Sequence, residues 1–125
     1  MRDISGYDVF KLADRLVLAV YRLTAQFPRS EAFGLTAQMR RAAYSVPMNL
    51  VEGAARSSHK EFARFVDMAV GSCEEVRYQL HLAEELGYVP TGEIQEMQRQ
   101  YEDVKRMLSR LLRKVAQGQW HDARE

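Results

Sequence analysis

The sequence predicts an all-α fold, an up-down-up-down antiparallel four-helix bundle forming a single domain over residues 1–125. Three observations lead there. Apolar residues recur at three- and four-residue spacing through four long segments, which is the period of one helix face. The breaks between segments are short and hold proline, glycine or a capping serine, and short connections make chain neighbours pack antiparallel. No segment shows the two-residue alternation of a half-buried strand.

The first helix is expected over about residues 8–27, on a stripe of Val9, Leu12, Leu16, Val20, Leu23 and Phe27, with Pro28 as its stop. The second is expected over about 32–55, with Leu35, Met39, Ala42, Val46 and Leu50 facing the core. A second apolar line, Tyr44, Met48, Val51 and Ala55, runs along the same helix. A helix buried on two faces needs more neighbours than a small monomer supplies, so this line predicts self-assembly, with Tyr44, Met48 and Val51 at the interface. Arg40 and Arg41 are adjacent and fall on different sides of the helix, which makes at least one of them an interface candidate too.

Pro47 lies inside this helix, where it removes a backbone donor and crowds the Ala43 carbonyl, so a local bend is expected. Asn49, Glu52 and Gly53 complete the motif. Asn49 and Glu52 admit two readings: recognition residues, or structural partners of the backbone groups freed by proline and of a nearby arginine. The second suits polar groups near a bend better. Gly53 is expected either to permit a close helix crossing or to mark the approach of the helix end.

Ser58 followed by Glu61 makes a capping box ahead of an apolar run, so the third helix is expected over about 59–86, with Gly87 as its C-terminal cap and Pro90 beyond. Gly71, in its middle, is expected to mark a close contact. The fourth helix, about 92–116 with Thr91 as its cap, carries a heptad-spaced stripe of Ile94, Met97, Tyr101, Val104, Leu108, Leu111 and Val115. Residues 118–125 read as a polar tail.

Composition narrows the function classes. A chain of 125 residues with 46% hydrophobic and 28% charged residues supports one core. Its 18 Lys plus Arg against 17 Asp plus Glu create no overall demand for a polyanion, so any nucleic-acid site must be a local cluster. Cys73 is the only cysteine, which fits a reducing compartment and a cytoplasmic location. Charges interrupt every apolar stretch short of a membrane span.

No enzyme is expected, and no cofactor or metal. A di-iron bundle needs core carboxylates and a Glu-x-x-His spacing, whereas Arg56, Tyr78 and Gly118 stand three residues before the three histidines. Cys73 falls on a core stripe with no histidine at helical spacing, as an inert packing residue would. Glycine-rich phosphate loops and nucleophile elbows are missing from the sequence.

Two basic clusters remain as nucleic-acid candidates. Arg56, Ser57, Ser58 and Lys60, extended by Arg64, surround the start of the third helix, where free backbone donors and these side chains would form a phosphate cradle. The alternative is a plain serine cap with solvated cations. Arg106, Arg110 and Arg113 line the outer side of the fourth helix, either as a phosphate-binding stripe or as a solvated face that complements the helix dipole.

The runs GLTAQMRRAA from Gly34, SVPMNLVEG from Ser45, and LAEELGY from Leu82, with Arg56, Glu61, Phe62, Phe65 and Gly71-Ser72 between, resemble a known pattern over roughly residues 7–115. It is that of the four-helix-bundle proteins encoded in intervening sequences of bacterial 23S rRNA genes, whose relatives include the accessory variability determinant of diversity-generating retroelements. The resemblance implies a cytoplasmic homopentamer with a nucleic-acid connection. Phe10 where the family often has Trp, Met48 after the proline and the near-neutral charge are this chain's departures. Two functions are carried forward: a self-assembling accessory protein that binds RNA or DNA, and a pentameric scaffold for a protein partner without direct nucleic-acid binding.

Overall fold

A computed structural model of the protein describes residues 3–118; the expected polar tail beyond Gly118 lies outside the described residues. Four α-helices occupy these residues, α1 (Asp8–Thr24), α2 (Leu35–Ala54), α3 (His59–Glu85) and α4 (Thr91–Ala116), with a short 3-10 turn at Arg29–Glu31 and no strand among them. Each helix packs on its chain neighbours, and α1 returns to touch α4 lightly.

Contacts along the pairs establish an alternating direction. Gln98 Nε2 donates to the Arg77 carbonyl at 2.8 Å and Cys73 Sγ to the Tyr101 carbonyl at 3.3 Å, so α3 and α4 run antiparallel. At one end of the bundle Gln26, just past α1, bonds Glu93 at the start of α4. At the other end Tyr7 and Asp8 line a cleft with Leu111 and Lys114.

The apolar stripes face inward. Val20, Met39, Val46, Leu50, Phe62, Val76, Leu80, Val104 and Leu108 are all fully buried, and every α4 stripe residue from Ile94 to Val115 lies in the core. Cys73 is buried as well, and burial pushes its thiol up to about 12. A thiol that stays protonated this far above neutrality is a packing group, not a nucleophile.

Helix ends are where the structure departs from expectation. α1 stops at Thr24 instead of Phe27, and Gln26 and Phe27 bond back three residues in a tightened turn. Thr24 is the cause: its hydroxyl donates to the Val20 and Tyr21 carbonyls and accepts from Arg40 Nε at 2.8 Å, competing with the helix ladder. Phe27 nevertheless stays in the core, its ring 5.3 Å from that of Tyr88.

α2 starts at Leu35, three residues later than expected, because Glu31 caps it from outside. The Glu31 carboxylate accepts from the Leu35 amide at 3.1 Å and from the Tyr88 hydroxyl at 2.6 Å. Those two bonds hold its carboxyl below the usual range, the Tyr88 bond most. Thr91 is the first residue of α4 and not its cap; Pro90 takes that position with no side-chain bond. The other expected caps hold. Ser58 Oγ accepts from the Glu61 amide at 3.1 Å, and Gly87, at φ +70°, closes α3 with Tyr88 N bonding back to the Ala83 carbonyl.

α2 stays helical through Pro47, which is buried. Asn49 does bond the backbone there, but its Nδ2 donates to the Ser45 carbonyl at 2.7 Å and not to the Ala43 carbonyl that the proline leaves without its usual donor. Glu52 is exposed and has no ion-pair partner among the described residues, so the expected arginine partner is absent. Gly53 is a close crossing: a Cβ there would lie 2.7 Å from Phe65 Cβ and 2.9 Å from Phe62 Cδ1. Gly71 is not one, since a Cβ there would have nothing within 4 Å.

Candidate nucleic-acid interface

Antiparallel packing sorts the charges along the α3–α4 hairpin. Residues 105–114 hold five Lys or Arg and no acid, and residues 81–96 hold four Glu and no Lys or Arg. The basic run ends α4, beside the start of α3, where Gly118 approaches the His59 ring; the acidic run surrounds the turn at the opposite end. A near-zero net charge thus conceals one cationic end; the opposite end is mixed, because Arg22, Arg29, Arg40 and Arg41 of α1, α2 and their connection share it with these carboxylates. Local fields of this kind, not the total, steer a charged ligand.

At the cationic end a groove of about 310 Å³ runs between α3 and α4, lined by Arg77, Glu102, Lys105, Arg106, Ser109, Arg110 and Arg113. Three of its cations are already committed. Arg77 and Lys105 both reach Glu74, at 3.1 and 3.4 Å, and Arg106 pairs with Asp103. Arg110 and Arg113 have no ion-pair partner among the described residues, and both are exposed. A guanidinium in that state presents its donors to solvent and can take a phosphate at no cost in broken internal pairs.

The second cluster, at the start of α3, is more self-contained. Ser58 Oγ is used by the Glu61 amide, and the Glu61 carboxylate pairs with Arg64 at 3.1 Å, which holds the Glu61 carboxyl low. Arg56 and Arg64 flank the Phe65 ring, their guanidinium carbons 4.8 and 4.9 Å from its centre. Phe65 itself is buried beneath them. Arginines stacked on a ring cover apolar surface as well as carrying charge. Ser57 and Lys60 are exposed, and Lys60 makes no ion pair among the described residues. An anion entering here meets a carboxylate at the centre of the expected cradle.

The interface candidates of α2 divide as well. Tyr44, Met48 and Val51 are exposed, an unburied apolar line. Arg40 is claimed within the chain: its Nη2 donates to the Tyr21 carbonyl, and its guanidinium lies 4.6 Å over the Tyr21 ring. Arg41 is the exposed member of the pair and lines a polar cleft with Ser45, Ser72 and Glu75. Sequence reasoning missed Arg77, the groove's contribution from α3. Its only sequence signal was Glu74 one turn before, a spacing that reads as an ordinary surface pair.

The family model of the 23S rRNA-intervening sequence protein matches residues 6–110. The chain belongs to that family. Among solved structures, the chain is similar to a protein of unknown function from the S23 ribosomal protein family of Bacteroides thetaiotaomicron. The match has a TM-score of 0.75 at 16% identity and covers 83% of this chain and 97% of the other, a likeness of fold. No curated protein matches the chain. The family match ends at Arg110, so it takes in most of the basic groove but not Arg113.

Proposed function

We propose that this intervening-sequence protein is a non-enzymatic accessory protein that self-assembles and binds RNA or DNA through the cationic end of its α3–α4 hairpin. The observation that carries the reading is the pair of exposed arginines without an ion-pair partner among the described residues, Arg110 and Arg113, beside a groove whose other cations are Arg77, Lys105 and Arg106. Interactions of this type go to phosphates, so binding is weakly sequence-selective and falls with salt. Arg56 and Lys60, near the same end, add to the field at longer range.

Self-assembly rests on the exposed apolar line of Tyr44, Met48 and Val51, and the resemblance to the pentameric relatives, the retroelement accessory determinants among them, makes a homopentamer the expected state. Repetition around a ring would add the fields of several basic grooves. A cytoplasmic site of action fits the lone reduced cysteine, and no described helix is long and apolar enough to cross a membrane.

The test is fluorescence anisotropy of a labelled structured RNA and a labelled DNA duplex across a salt series. Binding is expected with a steep salt dependence. Replacing Arg110 and Arg113 together with alanine should weaken it on both ligands and flatten the slope of log K against log salt by roughly 0.7–0.9 for each phosphate no longer neutralised. Arg56→Ala with Lys60→Ala should do less. Light scattering on the same samples reports the oligomer, and a stable monomer would remove the pentamer. Absence of binding even at low salt would favour the second reading, a scaffold presenting repeated surfaces to a protein partner. Exposed Met68 and Tyr78 on α3 supply apolar anchors for that role.

A further inference from the structure

Phe33 is 98% exposed on the α1–α2 connection, so its ring touches essentially nothing of its own chain. A lone aromatic held out in this way is an anchor lacking its pocket. The same chain has an unfilled pocket at the same end of the bundle. Where α1 and α4 meet only lightly, a groove of about 490 Å³ opens over Ala19, Leu23 and Met97, with Gln26, Glu93 and Glu96 on its rim. Gly92 also lines it, and a Cβ there would enter open space.

The charges around knob and groove are complementary. Arg29, one turn before Phe33, has no ion-pair partner among the described residues. Glu93 on the groove rim accepts from the neutral Gln26 amide and, although Arg22 lines the same groove, makes no ion pair among the described residues. A second copy of this chain therefore brings both the ring that fills the groove and the guanidinium that answers its carboxylate.

We infer that Phe33 of one copy seats in the α1–α4 groove of the next, with Arg29 against Glu93. This deepens, and rests on, the self-assembly reading above. The knob and the groove are different surfaces, so the contact is heterologous: each copy offers a free knob on one side and a free groove on the other. Such a contact closes into a ring when its rotation permits. It also puts Phe33 and Gly92 within the assembly itself, so that the seam between α1 and α4, thin in a single chain, is completed by a neighbour.

Cysteine cross-linking tests the seating directly, because Cys73 is buried and protonated and stays silent toward a maleimide. Ala32→Cys, exposed beside Phe33 so that the ring is kept, and Gly92→Cys, differently tagged and co-expressed, are treated with a short bis-maleimide. The expected result is a covalent dimer containing both tags in the mixture and no cross-link in either variant alone. Phe33→Ser, which leaves the circular dichroism spectrum unchanged because the ring supports nothing within the fold, is expected to lower the mass measured by light scattering. A wild-type multimer that gives no mixed cross-link and keeps its mass in Phe33→Ser overturns the seating while leaving self-assembly intact. A wild-type monomer at every concentration overturns both.

Discussion

Gly53→Ala is expected to destabilise the protein by about 1–2 kcal/mol, although alanine is the better helix former. The added methyl would sit 2.7 Å from Phe65 Cβ, 2.9 Å from Phe62 Cδ1 and 3.3 Å from the Phe62 carbonyl oxygen. Two of these three atoms belong to side-chain root or backbone, which no rotamer change can move. α2 and α3 must therefore separate at their tightest crossing, and overpacking of this kind costs typically about 1–3 kcal/mol or more. The gain in helix propensity, roughly 1 kcal/mol, offsets only part of it. Gly71→Ala is the internal control, since a methyl there meets nothing within 4 Å and only the propensity gain of about 1 kcal/mol should appear. Urea denaturation of the two variants beside the parent should move the midpoints in opposite directions. Equal shifts of one sign would show that α2 and α3 have room to spare at Gly53.

Tyr101→Phe should stabilise the fold. Tyr101 is fully buried on the α4 stripe, and its hydroxyl has no hydrogen-bond partner among the described residues. Burial drives the phenol above its ordinary range, with the neighbouring Cys73 adding to the effect. A buried hydroxyl that bonds to nothing forfeits its hydration, at a cost of about 1–3 kcal/mol. Phenylalanine keeps the ring and its packing and deletes the unmet group, so a gain of about 1–2 kcal/mol is expected, read as a rise of a few degrees in Tm. A lowered Tm would mean that the hydroxyl has a partner whose removal outweighs its desolvation.

The four stripes were legible because each keeps one spacing over several turns, and periodicity is the most robust message a sequence carries. Ser58 and Gly87 were legible for a related reason: a cap followed by its partner three residues on, or a glycine ahead of a proline, acts through its immediate chain neighbours. Thr24 and Glu31 were not. Thr24 ends α1 early with the help of Arg40 from another helix, and Glu31 sets the start of α2 with the help of Tyr88, 57 residues away. Neither partner can be found from local spacing. The candidate site divides in the same way. Arg106, Arg110 and Arg113 could be placed on one side of a helix from spacing alone, whereas Arg77 joins them only through the register of α3 against α4. Which cations are already paired, and hence which two stand ready for phosphate, depends on the same register.

Every strong helix contact in this fold is made with a chain neighbour, and the single closing contact, α1 against α4, is the weakest. Little loop entropy must therefore be given up before packing begins, which is the condition for rapid folding. The α2–α3 hairpin has the tightest crossing and one of the shortest turns, so it is the expected nucleus, and α1 is the expected last arrival. Measured φ-values should then be highest around Phe62 and Phe65 and lowest along α1. In a growing chain that order has a cost. α1 emerges before α2 and has no partner until α2 follows, so of the four helices the one made earliest is among the last to become secure.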